Sequence, residues 1–176
     1  MEFHDIDFLA CYIYNILRSS TKIMIVCFIG HRKILENSQL VLSLDNTLHS
    51  LIDEGATTFL FGSMSEFDSL TWKTLTKLKE KYPYLRRVYV RASFQYIDND
   101  YENYLLKSYE ETYFPLKIAN AGKGAYVERN YEMIDKADVC VFYYDNKNCR
   151  QNSGTKIAYE YANRKHKKII NLCENN

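Results

Sequence analysis

Small and cationic residues follow the first strongly apolar stretch of the chain, in a place where they could bind an anionic ligand. Residues 24–29 are apolar and run directly into Gly30, His31 and Arg32. Glycine allows another group to come close to the backbone, and arginine pairs with phosphate through charge-assisted hydrogen bonds. A strand that simply leaves the core and enters a charged loop would have the same composition, so this segment alone leaves both interpretations open.

Two further segments that follow apolar stretches carry similar side chains. Residues 62–68 and 145–155 are rich in glycine, serine, asparagine and aspartate. Each leads into a predicted helix, whose N-terminus offers free N–H groups and the positive end of the helix dipole to a phosphate group. Ser65 and Asp68 also have a structural interpretation, as a helix cap and as a partner of the helix dipole. The predicted ligand contacts are Gly30, His31, Arg32, Gly62, Ser63, Asp68, Ser153, Gly154 and Thr155, together with Arg129 and Asn130 from the start of another predicted helix.

Apolar stretches and helical repeats alternate along the chain and predict an α/β fold. The apolar stretches are nearly continuous, which is typical of strands covered on both faces of a parallel sheet. The predicted strands are residues 23–29, 57–61, 87–91, 139–144 and 168–172, and the predicted helices lie around residues 40–52, 65–81, 127–137 and 157–162. Their alternation predicts a mostly parallel sheet with helices on both faces. Ligands bind such sheets beyond the carboxyl ends of the strands, where the predicted contacts would meet.

The first 21 residues are predicted to form an N-terminal helical extension on a domain of residues 22–176. Residues 7–17 are apolar but too few to span a membrane. Acidic residues precede them, where a signal peptide would carry positive charge. We therefore expect an amphipathic helix that packs on the domain.

The segment of residues 93–123 interrupts the alternation and is rich in tyrosine. We predict a helix at residues 101–113 and a short strand near Leu116. Aromatic rings with a polar tip suit a lid over a ligand or a contact in a homo-oligomer. The tyrosines expected on the exposed face are Tyr101, Tyr104 or Tyr109. The sixteen tyrosines of the whole chain also fit a general compositional bias.

The overall composition argues against several classes of partner. The chain has 176 residues, a formal charge of +1 and 47% hydrophobic residues, which fits one domain without a surface for nucleic acid or membrane binding. Its five cysteines form no C-x-x-C pair, so we predict no disulfide framework and expect a reducing cytoplasm. The four histidines are far apart, and neither G-x-G-x-x-G nor a P-loop occurs, so we expect no metal and no cofactor.

Four motifs, taken in order, resemble those of the SLOG superfamily of Rossmann-like proteins. They are CFIGHRK, GSMSEFD, ERNYEMIDKADVCVFYYD and SGTKIAYEYANRKHKKIINL. The chain is most similar to a small bacterial and phage branch that carries Gly-His-Arg after the first strand. The resemblance covers about residues 22–172 and implies a Rossmann-like fold that binds a nucleotide or nucleotide-derived ligand at the strand carboxyl ends. Some members are proposed sensors in phage conflict or stress responses.

The resemblance assigns residues of this chain to each motif. The first motif supplies Gly30, His31 and Arg32, the second Gly62 and Asp68, the third Arg129 and Asn130, and the fourth Ser153, Gly154 and Thr155. Glu66 stands where a glycine is usual, just before the phenylalanine of the second motif.

The resemblance extends to the lonely-guy phosphoribohydrolases, whose GGxGTxxE motif places a glutamate toward the ligand. Here the third residue after Thr155 is Ala158, and Glu160 is turned away on the helix. This favours binding, by a sensor or a sequestering protein, over cleavage. One alternative is a ribosyl hydrolase or transferase acting on a nucleotide N-glycosidic bond, in which Asp68 or Glu160 stabilises the oxocarbenium charge. The other is a protein-binding module that has lost the ligand.

Overall fold

The computed structural model describes residues 23–62, 65–147 and 153–173. The predicted N-terminal helix lies outside the described residues. Within them the chain forms six strands and five helices, which confirms the predicted α/β class. No helix in these ranges is both long and apolar enough to cross a membrane.

All six strands pair in parallel within one sheet, in the order β4-β3-β2-β1-β5-β6. They are β1 (Met24–Gly30), β2 (Ala56–Phe61), β3 (Arg86–Val90), β4 (Glu111–Tyr113), β5 (Val139–Tyr143) and β6 (Lys168–Asn171). The five strands predicted from apolar stretches are present, and each end lies within one residue of the predicted end. Only β4, a strand of three residues, was not predicted.

Helices cover both faces of the sheet, as predicted. They are α1 (Ser38–Asp53), α2 (Glu66–Lys81), α3 (Asn99–Leu106), α4 (Ala125–Lys136) and α5 (Gly154–Arg164). Because successive residues of a strand point to opposite faces, Val26 and Phe28 pack with α1 and α2, whereas Cys27 and Ile29 pack with α4 and α5. The central strand β1 is therefore buried on both sides, which explains its nearly continuous apolar sequence.

The order of the strands places a topological switch point between β1 and β5. From β1 the chain moves outward through β2 and β3 to β4, and it then returns to the other side of β1 to form β5 and β6. The carboxyl ends of β1 and β5 are neighbours, because Gly30 pairs with Tyr143 and the His31 N–H donates to the Tyr143 carbonyl at 3.2 Å. In α/β sheets a crevice for ligands opens at such a point.

The prediction for the tyrosine-rich segment is wrong in its second half. The predicted helix of residues 101–113 ends at Leu106 as α3, and Glu111–Tyr113 forms β4 beside β3. The chain leaves the helix because of a contact between residues that are distant in sequence. The Tyr109 ring packs on Tyr89 of β3, with 5.1 Å between ring centroids. The strand predicted near Leu116 is a 3₁₀ turn that begins directly after Pro115.

Two exposed tyrosines of this segment, Tyr101 and Tyr104, lie on α3, and a third, Tyr96, precedes the helix. Tyr104 is 63% exposed, and its ring stacks on Tyr101 with 6.2 Å between centroids. Tyr109 instead packs toward the core against Phe61, and burial raises the pKa of its phenol. Tyr101 and Tyr104 therefore meet the expectation of an exposed face, while the lid or oligomer contact itself stays a prediction.

Candidate functional site

A cleft of about 1140 Å³ opens at the switch point. It is lined by Phe28, Ile29, Gly30, His31, Arg32, Lys33, Leu35, Gly62, Ser65, Tyr89, Tyr126, Arg129, Asn130, Tyr143, Asp145, Ser153, Gly154 and Thr155. Nine of the predicted contacts are among them, namely Gly30, His31, Arg32, Gly62, Arg129, Asn130, Ser153, Gly154 and Thr155. Asp68 is not, and Ser63 lies outside the described residues.

Two of the three predicted glycines, Gly30 and Gly62, make room for side chains of the protein itself. A Cβ atom added to Gly30 would lie 2.4 Å from Cδ1 of Phe67, and one added to Gly62 would lie 2.5 Å from Nη1 of Arg129. Real Cβ atoms do not come this close to other heavy atoms. The sequence suggested that Gly30 lets a ligand approach the backbone, and the structure gives a different reason, which is packing of α2 and α4 against the strand ends.

His31 links the loops that follow β1 and β5. Its Nε2 accepts a hydrogen bond from the backbone N–H of Asp145 at 3.0 Å. An accepting Nε2 belongs to a neutral imidazole with its proton on Nδ1. Burial lowers the pKa of His31, although the interactions with Asp145 oppose this, so the neutral form is stabilised. His31 thus has a structural role at the cleft in addition to its predicted place in the lining.

Arg32 and Lys33 bring positive charge to the mouth of the cleft. Both side chains are exposed and line it. The Lys33 ammonium is 2.7 Å from Oε1 of Glu66, whereas the Arg32 guanidinium has no hydrogen bond or ion pair with any described residue. Arg32 therefore has donors available for an anion in the cleft.

Arg129 lies under the cleft with its side chain 2% exposed. Its Nη1 donates to the carbonyl of Val90 at 3.1 Å and its Nε donates to Oδ1 of Asn130 at 3.0 Å. Burial lowers its pKa, and the nearby Asp68 carboxylate counteracts that effect. The guanidinium is thus fixed by the protein, and it adds fixed positive charge to the floor of the cleft.

Ser65 lines the cleft, and Asp68, to which it is hydrogen-bonded, does not. Its Oγ caps α2 by accepting the Asp68 N–H at 3.0 Å, which confirms the predicted cap. The Ser65 hydroxyl also bonds to Oδ2 of Asp68. Asp68 is 3% exposed, in the first turn of α2. Its predicted role as a partner of the helix dipole fits this position.

The N-terminus of α5 points at the cleft. Ser153 caps the helix by accepting the Lys156 N–H at 3.1 Å. Ser153, Gly154 and Thr155 all line the cleft. The first N–H groups of an α-helix have no partner within the helix, so this end is suited to bind an anion.

The sequence from residue 33 to residue 175 matches the model of the YspA SLOG family. This chain belongs to the YspA SLOG family. The match contains the cleft residues from Gly62 to Thr155, whereas Gly30, His31 and Arg32 precede it. The SLOG resemblance and the Rossmann-like fold are therefore confirmed, and the assignment to a branch with a Gly-His-Arg motif stays a prediction. No curated protein matches the sequence.

In this SLOG protein the aromatic part of the cleft and its carboxylate were not predicted from the sequence. Tyr89, Tyr126 and Tyr143 line the cleft, as does Asp145, which is the one carboxylate among the described lining residues. Tyr143 is the last residue of β5, and Asp145 lies two residues beyond it. The rule that both strands at a switch point contribute to the site would therefore have predicted both residues. Tyr126 carried a weaker signal, since it precedes Arg129 by one helical turn.

The catalytic candidate Glu160 lies outside the cleft of this SLOG domain. It lines a separate shallow depression of about 430 Å³ with Lys156, whose Nζ is 3.8 Å from Oε1 of Glu160. The sequence placed Ala158 toward the ligand, and this is corrected by the structure. Ala158 is 1% exposed and packs with Ala162 against the sheet, because small residues let α5 approach the strands closely.

Proposed function

We propose that the cleft binds a nucleotide or a nucleotide-derived ligand, with a phosphate group held between Arg32 and the N-terminus of α5. The observation that carries this proposal is the convergence of the available Arg32 guanidinium with Ser153, Gly154 and Thr155 in one cleft at the switch point. A guanidinium binds phosphate by charge-assisted hydrogen bonds, and a helix N-terminus binds it through the N–H groups of the first turn. Membership of the YspA SLOG family is consistent with a nucleotide-related function.

The aromatic side chains of the cleft support the proposal that it also binds the base of the nucleotide. Tyr89, Tyr126 and Tyr143 line the same cleft as the proposed phosphate site. Stacking of a base on an aromatic ring contributes about 1–3 kcal/mol. We propose on this basis a cytoplasmic sensor or sequestering protein, active in stress or phage conflict, that recognises both the phosphate and the base of its ligand.

Replacement of Arg32 by alanine is expected to weaken binding without destabilising the free protein. Hydrogen bonds to charged groups contribute about 1.5–3 kcal/mol, so the dissociation constant should rise by at least about tenfold. A thermal-shift screen of nucleotides, ADP-ribose derivatives and cyclic nucleotides identifies a ligand, because saturation at about 100 times the dissociation constant adds about 2.7 kcal/mol. Calorimetry with that ligand then compares wild type and Arg32→Ala.

Arg164→Ala is the matched control, because Arg164 is an exposed arginine that does not line the cleft. It should bind as wild type does. Equal affinity of Arg32→Ala and wild type would contradict the proposed role of Arg32. A large loss of stability in the ligand-free Arg32→Ala variant would show that Arg32 is a structural residue.

Incubation with nucleoside monophosphates or ADP-ribose is expected to release no free base above background. Asp68 and Glu160 do not line the cleft, and Asp145 is its one carboxylate among the described residues. The measurement is chromatographic detection of free base with wild type, Asp68→Asn, Glu160→Gln and Asp145→Asn. Release of free base by wild type would establish a ribosyl hydrolase or transferase. The variant that abolishes this release would identify the catalytic carboxylate.

A further inference from the structure

The loop between β1 and α1, residues 31–37, carries Arg32 to the mouth of the cleft. Most of its side chains are exposed, and Ile34 is the residue that packs partly against the core. A segment with little buried apolar surface is held mainly by its hydrogen bonds, and it opens easily when they are lost. The bonds of this loop therefore decide where the Arg32 side chain is placed.

Glu66, the first residue of α2, makes bonds to three residues of this loop. Its backbone N–H donates to the carbonyl of Arg32 at 3.0 Å. The Ile34 N–H donates to its Oε2 at 3.0 Å, and the Lys33 ammonium donates to its Oε1 at 2.7 Å. A carboxylate is also favoured at the N-terminus of a helix by the helix dipole. Side chain and backbone of one residue thus hold the middle of the loop against α2.

A second contact ties the loop to the other side of the cleft. The Leu35 N–H donates to the phenol oxygen of Tyr143 at 3.3 Å. Tyr143 ends β5 and packs on Phe67, the neighbour of Glu66, with 5.9 Å between ring centroids. The loop therefore spans from α2 to β5 across the end of β1.

We propose that Glu66 is a positioning residue, which fixes the β1–α1 loop so that Arg32 faces the cleft. This inference rests on the proposed function, in which Arg32 binds phosphate. Glu66 is not among the described residues that line the cleft, whereas Arg32 and Lys33 of the loop that it binds are. The hydrogen bonds from Lys33 and Ile34 lower the pKa of its carboxyl, which is ionised at neutral pH as these contacts require.

Amide hydrogen exchange in the ligand-free protein tests whether Glu66 stabilises the β1–α1 loop, independently of any ligand. We compare wild type, Glu66→Ala, Glu66→Gln and Glu80→Ala, an exposed carboxylate on the same helix. The Ile34 amide should exchange about tenfold faster in Glu66→Ala, because the carboxylate that accepts its N–H is lost. Glu66→Gln should restore most of the protection, because its amide oxygen still accepts the Ile34 N–H. Exchange in Glu66→Ala as slow as in Glu80→Ala would overturn the proposal.

Calorimetry with inorganic pyrophosphate tests whether Glu66 acts through Arg32. Glu66→Ala should raise the dissociation constant about tenfold, and Glu66→Gln should restore much of the affinity. In an Arg32→Ala background, Glu66→Ala should have no further effect, since coupled residues are non-additive. An equal loss in both backgrounds would overturn the positioning role. If wild type does not bind pyrophosphate, the phosphate site of the proposed function is refuted, and the Ile34 exchange rates still decide whether Glu66 holds the loop.

Discussion

Substitution of Gly30 by alanine is expected to lower the free energy of unfolding by about 2–3 kcal/mol, the upper part of the range for overpacking a core. The new Cβ would lie 2.4 Å from Cδ1 and 2.6 Å from Cβ of Phe67, which is fully buried. A change of rotamer moves the ring but not the Cβ of Phe67. The first turn of α2 must therefore shift away from β1, and well-packed interiors resist such shifts.

Urea unfolding of wild type, Gly30→Ala and Gly124→Ala measures this effect. Gly124 is the matched control, because it has φ −81° and no atom within 4 Å of an added Cβ. The midpoint should fall for Gly30→Ala at an unchanged slope, and it should stay near the wild-type value for Gly124→Ala. Equal midpoints for the two variants would mean that α2 moves away from β1 without cost.

The strands could be predicted because burial on both faces leaves a direct trace in the sequence. β1 and β5 are each nearly continuous apolar runs. β4 left no such trace, because three residues, two of them Glu111 and Thr112, are too few for any periodicity. Its position depends instead on Tyr109, whose partners Phe61 and Tyr89 are distant in sequence.

The location of the candidate site could be predicted because parallel topology brings the residues after each strand to one edge. The reasons for individual residue types could not, because they depend on partners far along the chain. Gly30 is required by Phe67, and Gly62 is required by Arg129. His31 accepts its hydrogen bond from a residue 114 positions away. The sequence shows that such residues are unusual where they stand, and only the fold shows what they contact.

Among the polar residues of the cleft, Arg129 is expected to give the largest loss of folding stability when it is replaced. Removal of one partner from a buried charged arrangement costs about 3–5 kcal/mol, so Arg129→Met should lower the free energy of unfolding by about this amount. The methionine would leave the Val90 carbonyl without the bond that Nη1 donates, and it would remove a positive charge that stabilises the Asp68 carboxylate. Arg129→Lys keeps the charge but lacks the planar set of donors, so its loss should be smaller.

The same urea experiment, with Arg164→Met as control, measures these losses. Arg164 is exposed near the end of α5, and its replacement should change stability by no more than about 0.5 kcal/mol. The order of stability should be wild type and Arg164→Met first, then Arg129→Lys, then Arg129→Met. If Arg129→Met is as stable as Arg164→Met and loses only ligand affinity, Arg129 is a ligand contact and not part of the scaffold.

A double-mutant cycle separates the packing of Arg129 from its charge. A Cβ on Gly62 would meet Nη1 and Cζ of Arg129 and also Sδ of Met133, a flexible side chain. Gly62→Ala should therefore be destabilising in wild type and much less so in Arg129→Ala, where the space of the guanidinium is free. Contacting residues typically show interaction energies of about 0.5–3 kcal/mol in such cycles. Strict additivity would mean that Gly62 is glycine for another reason, such as close approach of the ligand, which is what the sequence suggested for the glycine after β1.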